Sequence, residues 1–197
     1  GSIGGGCMEA DIWKAAMDVI KEKAPKVLDF DLTGREDTPE GLICGGTMQV
    51  FVEPILPEPT VLLFGAGHIA FAVSKIAKMI GFRVVVIDDR PAYANKERFP
   101  GADEFYVDDP ATMVPQLNIN KSSYLVIACR GHLEDQRVLS EALKTKAIYI
   151  GMLGSKKKGK TVFANLKKEG ITQEALDGVH NPIGLPIAAE TPEEIAI

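Results

Sequence analysis

Cysteine and long apolar runs are scarce in this sequence, and each scarcity argues against a class of protein. The 197 residues include three cysteines and one tryptophan. An odd number of cysteines without regular spacing does not suit a disulfide-built secreted domain, so we expect reduced thiols and a cytoplasmic protein. No apolar stretch approaches the roughly 20 residues that a membrane-spanning helix needs. The net charge of −5 and the absence of a long basic run argue against a nucleic-acid partner.

The most informative segment is an apolar strand that runs directly into a glycine-rich turn. Residues 60–70 have the sequence TVLLFGAGHIA, which contains the pattern G-x-G-x-x-A. An apolar helical pattern follows over 71–80, and a second strand over 83–87 ends at Asp88. This order is the opening β-α-β arrangement of a dinucleotide-binding fold.

Each residue of the glycine motif has a physical task in that fold. Gly65 permits the tight turn, Gly67 allows the backbone to approach a pyrophosphate, and Ala70 keeps the helix close to the strand. The N-terminus of the helix supplies free N–H groups and the positive end of its dipole. Asp88 lies where a carboxylate accepts ribose hydroxyls, and its charge favours NAD over a nucleotide with a 2′-phosphate, a preference that Arg90 softens.

Periodicity divides the chain into two parts. Over 1–57, an amphipathic helix near 8–23 and alternating strands at 27–32 and 47–52 predict a small α+β lobe. Over 58–197, strands and helical patterns alternate, which predicts a Rossmann-like, doubly wound α/β domain with a parallel sheet. Its strands are expected at 61–65, 83–88, 104–107, 124–128 and 147–151.

The loops after the first and fourth strands of the second part face the same crevice. Ligands of open parallel sheets bind at this switch point, beyond the carboxyl ends of the strands. The two loops contribute His68, Arg130 and His132. Arg130 can clamp an anion with two hydrogen bonds, and His132 can bind a metal or transfer a proton. The alternative is that His132 only caps the following helix.

A run of glycines precedes the first helix and ends at Cys7. Consecutive glycines such as Gly5 and Gly6 can form a nest of N–H groups that holds an anion. A cysteine at a helix N-terminus has a lowered pKa and becomes a better nucleophile or metal ligand. Cys44 precedes two further glycines in the same lobe. The alternative is that the glycines are flexible and Cys7 is a small buried residue.

Two segments near the C-terminus are further candidates for ligand binding. Ser155 is a plausible N-cap for a helix whose first turn carries three lysines, at 156–158. Lysines oppose the helix dipole there, so an anionic ligand or partner would compensate for them, unless they form a solvated face. His180 begins an ordered, proline-rich loop over 180–186, from which it can close over the crevice or cap a neighbouring element.

These segments, taken in order, resemble the XdhC/CoxI family of molybdenum hydroxylase maturation factors. The matching segments are GSIGGGCME at 1–9, CGG at 44–46, VEP at 52–54, GAGH at 65–68, VIDDRP at 86–91, RGH at 130–132, GMLGS at 151–155, HNPIGL at 180–185 and AETPEEIA at 189–196. The resemblance implies that 1–57 is the C-terminal part of the family's N-terminal domain and 58–197 its Rossmann-like domain. The missing start methionine and a helix start at Thr191 close to the last residue agree with our expectation of a longer protein.

The resemblance implies a cofactor-binding chaperone more than a turnover enzyme. Such a factor binds molybdenum cofactor (molybdopterin), assists its sulfuration and delivers it to a xanthine-dehydrogenase-type hydroxylase. The implied partners are the hydroxylase apo-enzyme, a sulfurating enzyme and a second copy in a homodimer. The family assigns the Gly-Gly-Cys cysteine to cofactor binding, which maps to Cys7 as the metal ligand. We assign no catalytic residue, and the candidate cofactor-binding residues are Gly5, Gly6, Cys7, Cys44, Gly65, Gly67, His68, Asp88, Arg130, His132, Ser155 and His180.

Two other functions are compatible with the Rossmann pattern. An NAD(P)-dependent oxidoreductase would need a hydride-acceptor pocket and a general acid, for which His68, His132 and His180 are the candidates. A regulatory module that senses NAD or another nucleotide needs only the binding site.

Overall fold

The computed structural model describes residues 7–31 and 46–197 of the chain. The chain divides into two compact units, Gly1–Pro57 and Glu58–Ile197. Within the described residues, no helix combines the length and the apolar character needed to cross a membrane.

The first unit contains one helix and a two-stranded antiparallel sheet. Helix α1 spans Cys7–Glu22, and strands β1 (Lys26–Asp31) and β2 (Thr47–Val52) pair along their whole length. The helix buries one stripe of apolar side chains, which are Met8, Ile12, Ala15 and Val19. This spacing of three to four residues is the period that predicts an amphipathic helix.

The second unit is a doubly wound α/β domain, as predicted. Its six strands are all parallel and lie in the order β5-β4-β3-β6-β7-β8. In chain order, its elements are β3 Thr60–Phe64, α2 His68–Met79, β4 Arg83–Ile87, β5 Glu104–Tyr106, α3 Pro110–Met113, a 3₁₀ turn Val114–Gln116, β6 Ser123–Ile127, α4 His132–Ala142, β7 Tyr149–Met152, α5 Lys156–Lys168, α6 Gln173–Asp177, β8 Val179–His180 and α7 Pro192–Ile195. The strand order reverses between β3 and β6, which makes this the switch point of the sheet.

Packed elements cover both faces of the sheet, and successive strand residues point to opposite sides, so each strand contributes side chains to two cores. From β3, Leu62 and Phe64 enter a core with α3, α4, α5 and α6. Val61 and Leu63 enter a second core with α2 and the segment after β4. This double burial explains why the central strands are almost purely apolar in sequence.

The expected strand positions agree with the structure except near the C-terminus. Strand β7 begins at Tyr149, two residues later than the predicted 147, and β8 was not predicted at all. The segment from His180 was expected to be a loop, but His180 pairs with Gly151 as the last residue of β8. A two-residue strand has no periodicity to detect, because its position is set by pairing with β7.

Gly65 is required by both backbone angle and space. Its φ is +104°, and a Cβ atom placed there would lie 2.2 Å from the carbonyl oxygen of Ala128. Gly67 is different, because its φ is −76° and a Cβ atom would meet nothing within 4 Å. The first glycine therefore allows β3 and β6 to end side by side, while the second leaves open space above the turn.

We therefore predict opposite outcomes for two alanine substitutions in one turn. Gly65→Ala should lower the free energy of unfolding by about 2–3 kcal/mol, because it combines a left-handed backbone angle with a clash against backbone. Gly67→Ala should change it by less than about 1 kcal/mol. Urea denaturation of both variants measures the difference, and equal losses would contradict this assignment of roles.

Candidate functional site

Four loops of the second unit meet at the carboxyl edge of the parallel sheet. They follow β3, β4, β6 and β7, and β3 lies between β4 and β6. His68 and His132 are the first residues of α2 and α4, and both are exposed at this edge. The structure therefore brings the two predicted switch-point loops side by side.

Asp88 is the buried anchor of this edge. It is only 2% exposed, and one carboxylate oxygen accepts a hydrogen bond from the Ala66 N–H at 2.8 Å. Arg90 donates three further bonds, from its backbone N–H at 3.0 Å and from Nε and Nη2 at 2.7 and 2.8 Å. Burial opposes ionisation, but the bonds from Arg90 and Ala66 outweigh it and hold the pKa of Asp88 below its ordinary value of 3.8.

Arg90 is itself held on a second side. Its guanidinium lies 3.7 Å from the ring centroid of Tyr93, and Nε lies 3.8 Å from an Asp89 oxygen. The charge of Asp88 is thus neutralised by a fixed arginine. A ribose hydroxyl at Asp88 would have to share or displace these existing bonds, so the predicted ribose contact remains a prediction.

Arg130 bridges two loops across the mouth of the crevice. Its Nη2 lies 2.6 Å from a carboxylate oxygen of Asp89, so the loop after β6 reaches the loop after β4. Both side chains are partly exposed, at 53% and 38%. An ion pair this accessible to water contributes at most about 1 kcal/mol and can exchange for another anion.

A second buried carboxylate fixes the other side of the edge. Asp135 is fully buried, accepts the Cys129 N–H at 2.9 Å and pairs with the ammonium group of Lys158. Lys158 Nζ also donates to the Leu153 carbonyl at 3.0 Å. Burial raises the pKa of Asp135, and the bonds from Lys158 and Cys129 partly offset that effect. The charge of Lys158 is therefore balanced within the chain by Asp135, so this member of the lysine run does not require an external anion.

The surroundings of Cys129 disfavour the thiolate form of its side chain. Burial, followed by the charge of Asp135, raises its pKa far above the ordinary value of 9.0. A thiol acts as nucleophile or soft metal ligand in its deprotonated form, so Cys129 is not suited to either role.

The loops after β6 and β7 enclose a cleft that carries positive charge. We call it the cationic cleft, and its volume is about 500 Å³. Its lining residues are Arg130, Gly131, His132, Ser155, Lys157, Lys158 and Thr161. Ser155 caps helix α5 as predicted, accepting the Lys158 N–H at 3.2 Å. The cleft thus unites the predicted residues Arg130, His132 and Ser155.

An apolar pocket of about 570 Å³ adjoins the cationic cleft and shares Ser155 with it. Its far wall is the segment after β8, including Pro182, Leu185 and Pro186, with Ile195 of α7. Sequence reasoning did not select these side chains, because apolar residues in a proline-rich segment resemble an ordinary surface loop. These side chains follow the end of β8 at His180, so their place in the pocket wall depends on where the chain leaves the sheet.

His180 lies at the end of a strand and not in the expected loop, and its neighbour Asn181 has a role that was not expected. The His180 ring stacks on Tyr149 with centroids 4.6 Å apart, and it does not line the cationic cleft. Asn181 instead donates to the carbonyls of Met152 and Gly154, at 2.9 and 3.2 Å. It thereby holds the loop that leads to Ser155, a role that a lone asparagine does not reveal in sequence.

The first unit's candidates can be located only in part. Helix α1 begins at Cys7, whereas Gly5, Gly6 and Cys44 lie outside the described residues. Within 7–31 and 46–197, no group of three or more histidine, cysteine and acidic side chains is arranged to hold a metal ion.

Strand order, the glycine turn and the switch-point loops define a protein with a Rossmann-like, doubly wound α/β domain. The family model described as "XdhC Rossmann domain" matches residues 61–197, and the model described as "XdhC and CoxI family" matches residues 1–31. The chain belongs to the XdhC/CoxI family.

The relatives found include both uncharacterised and xanthine-dehydrogenase-related proteins. The chain is 29% identical to "Uncharacterized protein YqeB" of Escherichia coli over 198 residues, covering 100% of this chain and 36% of that protein. It is 32% identical to a probable xanthine dehydrogenase subunit of Bacillus subtilis over 151 residues, covering 77% of this chain and 44% of that protein. The chain therefore spans less than half the length of these curated relatives.

A solved structure is similar along the whole chain. A crystal structure from Bacillus halodurans, described as a xanthine dehydrogenase, matches with a TM-score of 0.63 and 25% identity, over 100% of this chain and 79% of that chain. The similarity extends through both units, in agreement with the two family models.

We predict that Asp88 stabilises the second unit through its charge. Because its pKa is lowered on folding, the stabilisation is fully present above about pH 3.8 and is lost as the pH falls through the folded-state pKa. Asp88→Asn should therefore lower the free energy of unfolding by about 2 kcal/mol at pH 7, the scale of hydrogen bonds to a charged group. The difference from wild type should shrink below pH 4.

Urea denaturation between pH 3 and 7 measures this dependence. Asp108→Asn is the control, since Asp108 is exposed and has no ion pair among the described residues. A deficit for Asp88→Asn that stays constant across the range would show that the carboxylate charge does not carry the stabilisation.

Proposed function

We propose that this chain acts within an accessory factor that binds molybdenum cofactor, assists its sulfuration and inserts it into a xanthine-dehydrogenase-type hydroxylase. The observation that carries the proposal is the match of 1–31 and 61–197 to the two XdhC models, in the order found along the chain. Relatives with xanthine dehydrogenase names support a hydroxylase as the partner.

The second unit has a donor set that suits part of this cofactor. Molybdenum cofactor carries a phosphate, a pterin ring system and a dithiolene-held metal. Arg130 and Lys157 supply cationic N–H donors for a phosphate, and the adjoining apolar pocket offers a surface for a ring. These residues would bind and orient the ligand.

The metal end of the cofactor requires a different kind of ligand. Soft thiolates suit molybdenum chemistry better than the oxygen and nitrogen donors of the cleft. Cys7 begins a 16-residue helix, where the dipole favours a thiolate. Cys129 is less suited to that contact, because burial raises the pKa of its thiol. The family resemblance implies Cys7 as the metal contact, and its place at a helix start is compatible with that role.

A nucleotide-binding regulatory module is the second candidate. The strand order of the sheet and the open space above Gly67 favour it, since both belong to dinucleotide-binding folds. A rise in melting temperature with NAD or NADP, without turnover, would support this function. Reduction of NAD(P) by a substrate would instead support the oxidoreductase alternative.

Cys7→Ala in the full-length protein should abolish retention of molybdenum cofactor without unfolding it. The substitution removes the thiolate proposed to contact the metal and leaves the core of the second unit unchanged. The measurements are molybdopterin content after purification and activation of an apo-hydroxylase. Cys129→Ala is the matched control, and it should retain both properties. A Cys7→Ala variant that retains all its molybdopterin and fully activates the apo-hydroxylase would contradict the proposed role of Cys7.

Arg130→Ala should weaken binding of a phosphate-bearing ligand by roughly 1.5–3 kcal/mol, the scale of a hydrogen bond to a charged group. The measurement is the molybdopterin retained by the full-length protein on serial dilution. Arg137→Ala is a close control, because Arg137 is 56% exposed, pairs with Asp109 at 2.9 Å and lies on helix α4, which follows the loop of Arg130, outside the cationic cleft. Equal losses from both variants would contradict a specific role for Arg130.

A further inference from the structure

The cationic cleft concentrates positive charge on a protein that is acidic overall. The chain has a net charge of −5, yet Arg130, Lys157 and Lys158 line the cleft and no acidic side chain lines it among the described residues. A cleft with one sign of charge concentrates ligands of the opposite sign. The expected ligand is therefore an anion.

The three cations of the cleft differ in what already binds them. Lys158 is committed to the buried Asp135, and Arg130 is shared with the exposed Asp89. Lys157 is exposed and has no carboxylate partner within the described part of the chain. It also lies in the first turn of α5, where a positive charge is unfavourable without a nearby anion. Lys157 is thus the side chain most available to a ligand.

An ion pair and several hydrogen bonds hold the walls of the cleft. The Asp135 carboxylate connects the loop after β6 to Lys158 on α5, and Lys158 connects in turn to the Leu153 carbonyl. Gly159 permits Asn181 to approach α5, since a Cβ atom there would lie 1.8 Å from the amide oxygen of Asn181. A site whose walls are fixed before binding loses less entropy when a ligand arrives.

The glycine turn is a poorer place for phosphate in this protein. The Ala66 N–H is already bonded to Asp88, and the cation beside it, Arg90, is neutralised by the same carboxylate. Asp89 adds a second carboxylate at this side of the edge, and it is already paired with Arg90 and Arg130. A phosphate at the turn would meet these negative charges without an uncommitted cation.

We propose that the phosphate of the ligand binds in the cationic cleft, between Arg130, Ser155 and Lys157, one strand away from the glycine turn. Ser155 lies where the cleft meets the apolar pocket, so the rest of the ligand extends into that pocket. The ligand class is an organic phosphate joined to a heterocyclic ring system, the faces of which can pack against apolar side chains. Molybdenum cofactor and an adenine nucleotide share this chemistry, and the phosphate position does not depend on which of them is bound.

The test compares two lysines on the same helix in the full chain. Lys157→Ala removes the uncommitted cation of the cleft, and Lys167→Ala removes an exposed lysine about 15 Å further along α5. The probe is ADP, titrated by calorimetry at low salt, and molybdopterin retention is measured on the same variants in the full-length protein. Lys157→Ala should weaken ADP binding or cofactor retention about 10-fold or more, and Lys167→Ala should leave both near wild type.

A thermal melt separates loss of binding from loss of folding. Removing a lysine from a first helical turn should leave the melting temperature unchanged or slightly raised, since it relieves an unfavourable dipole interaction. Weaker binding together with unchanged stability therefore assigns Lys157 to the ligand.

The other possible results distinguish the phosphate site from the proposed function. Equal binding by both variants and wild type overturns the site, as does a wild type that binds neither ADP nor molybdenum cofactor. A loss of ADP binding specific to Lys157→Ala, in a full-length wild type that retains no molybdenum cofactor, supports the site and overturns the proposed function.

Discussion

The carboxyl edge of the sheet depends on the buried carboxylate of Asp88. One side chain joins the end of β4 to the glycine turn through Ala66 and carries its own counter-ion in Arg90. Without that counter-ion, a fully buried carboxylate would cost several kcal/mol. The glycine turn is therefore held in place by protein groups, whether or not a ligand is present.

The same arrangement occurs a second time at the loop after β6. Asp135 accepts a backbone N–H from Cys129 and pairs with Lys158, just as Asp88 accepts from Ala66 and pairs with Arg90. The two buried acids thus fix the loops that follow β3, β4, β6 and β7. Their fixed positions leave two cations of the cleft available: Arg130, whose partner Asp89 is exposed, and Lys157, for which no carboxylate partner lies within the described residues. This is the reason that we propose the anion site between them.

The architecture of the second unit was predictable because buried parallel strands are apolar along their whole length. The repeated alternation with helical patterns indicated the doubly wound sheet, and G-x-G-x-x-A located its switch point. The cap of α7 also followed from sequence, since Thr191 and Glu194 form the capping box that their spacing suggests. Local rules of this kind need only neighbouring residues.

The details of the site depend on contacts between residues far apart in sequence. The pairing of Lys158 with Asp135 spans 23 positions, and the bond from Asn181 to Met152 spans 29. No local pattern reports such partners, so the lysine run suggested an external anion for all its members. In the structure Lys158 has an internal partner, and an external anion at Lys157 stays a prediction. The segment over 180–186 was a candidate because of its histidine, and the apolar pocket wall that it forms was missed for the same reason.

The central claim is that the glycine turn serves the fold and the neighbouring cleft binds the phosphate. Backbone amide chemical shifts of the whole chain during an ADP titration test it most directly. The account predicts the largest changes at Gly131–His132 and Ser155–Lys157, with little change at Ala66 and Gly67. Changes concentrated at Gly67 and His68, with Ser155–Lys157 unaffected, would contradict it.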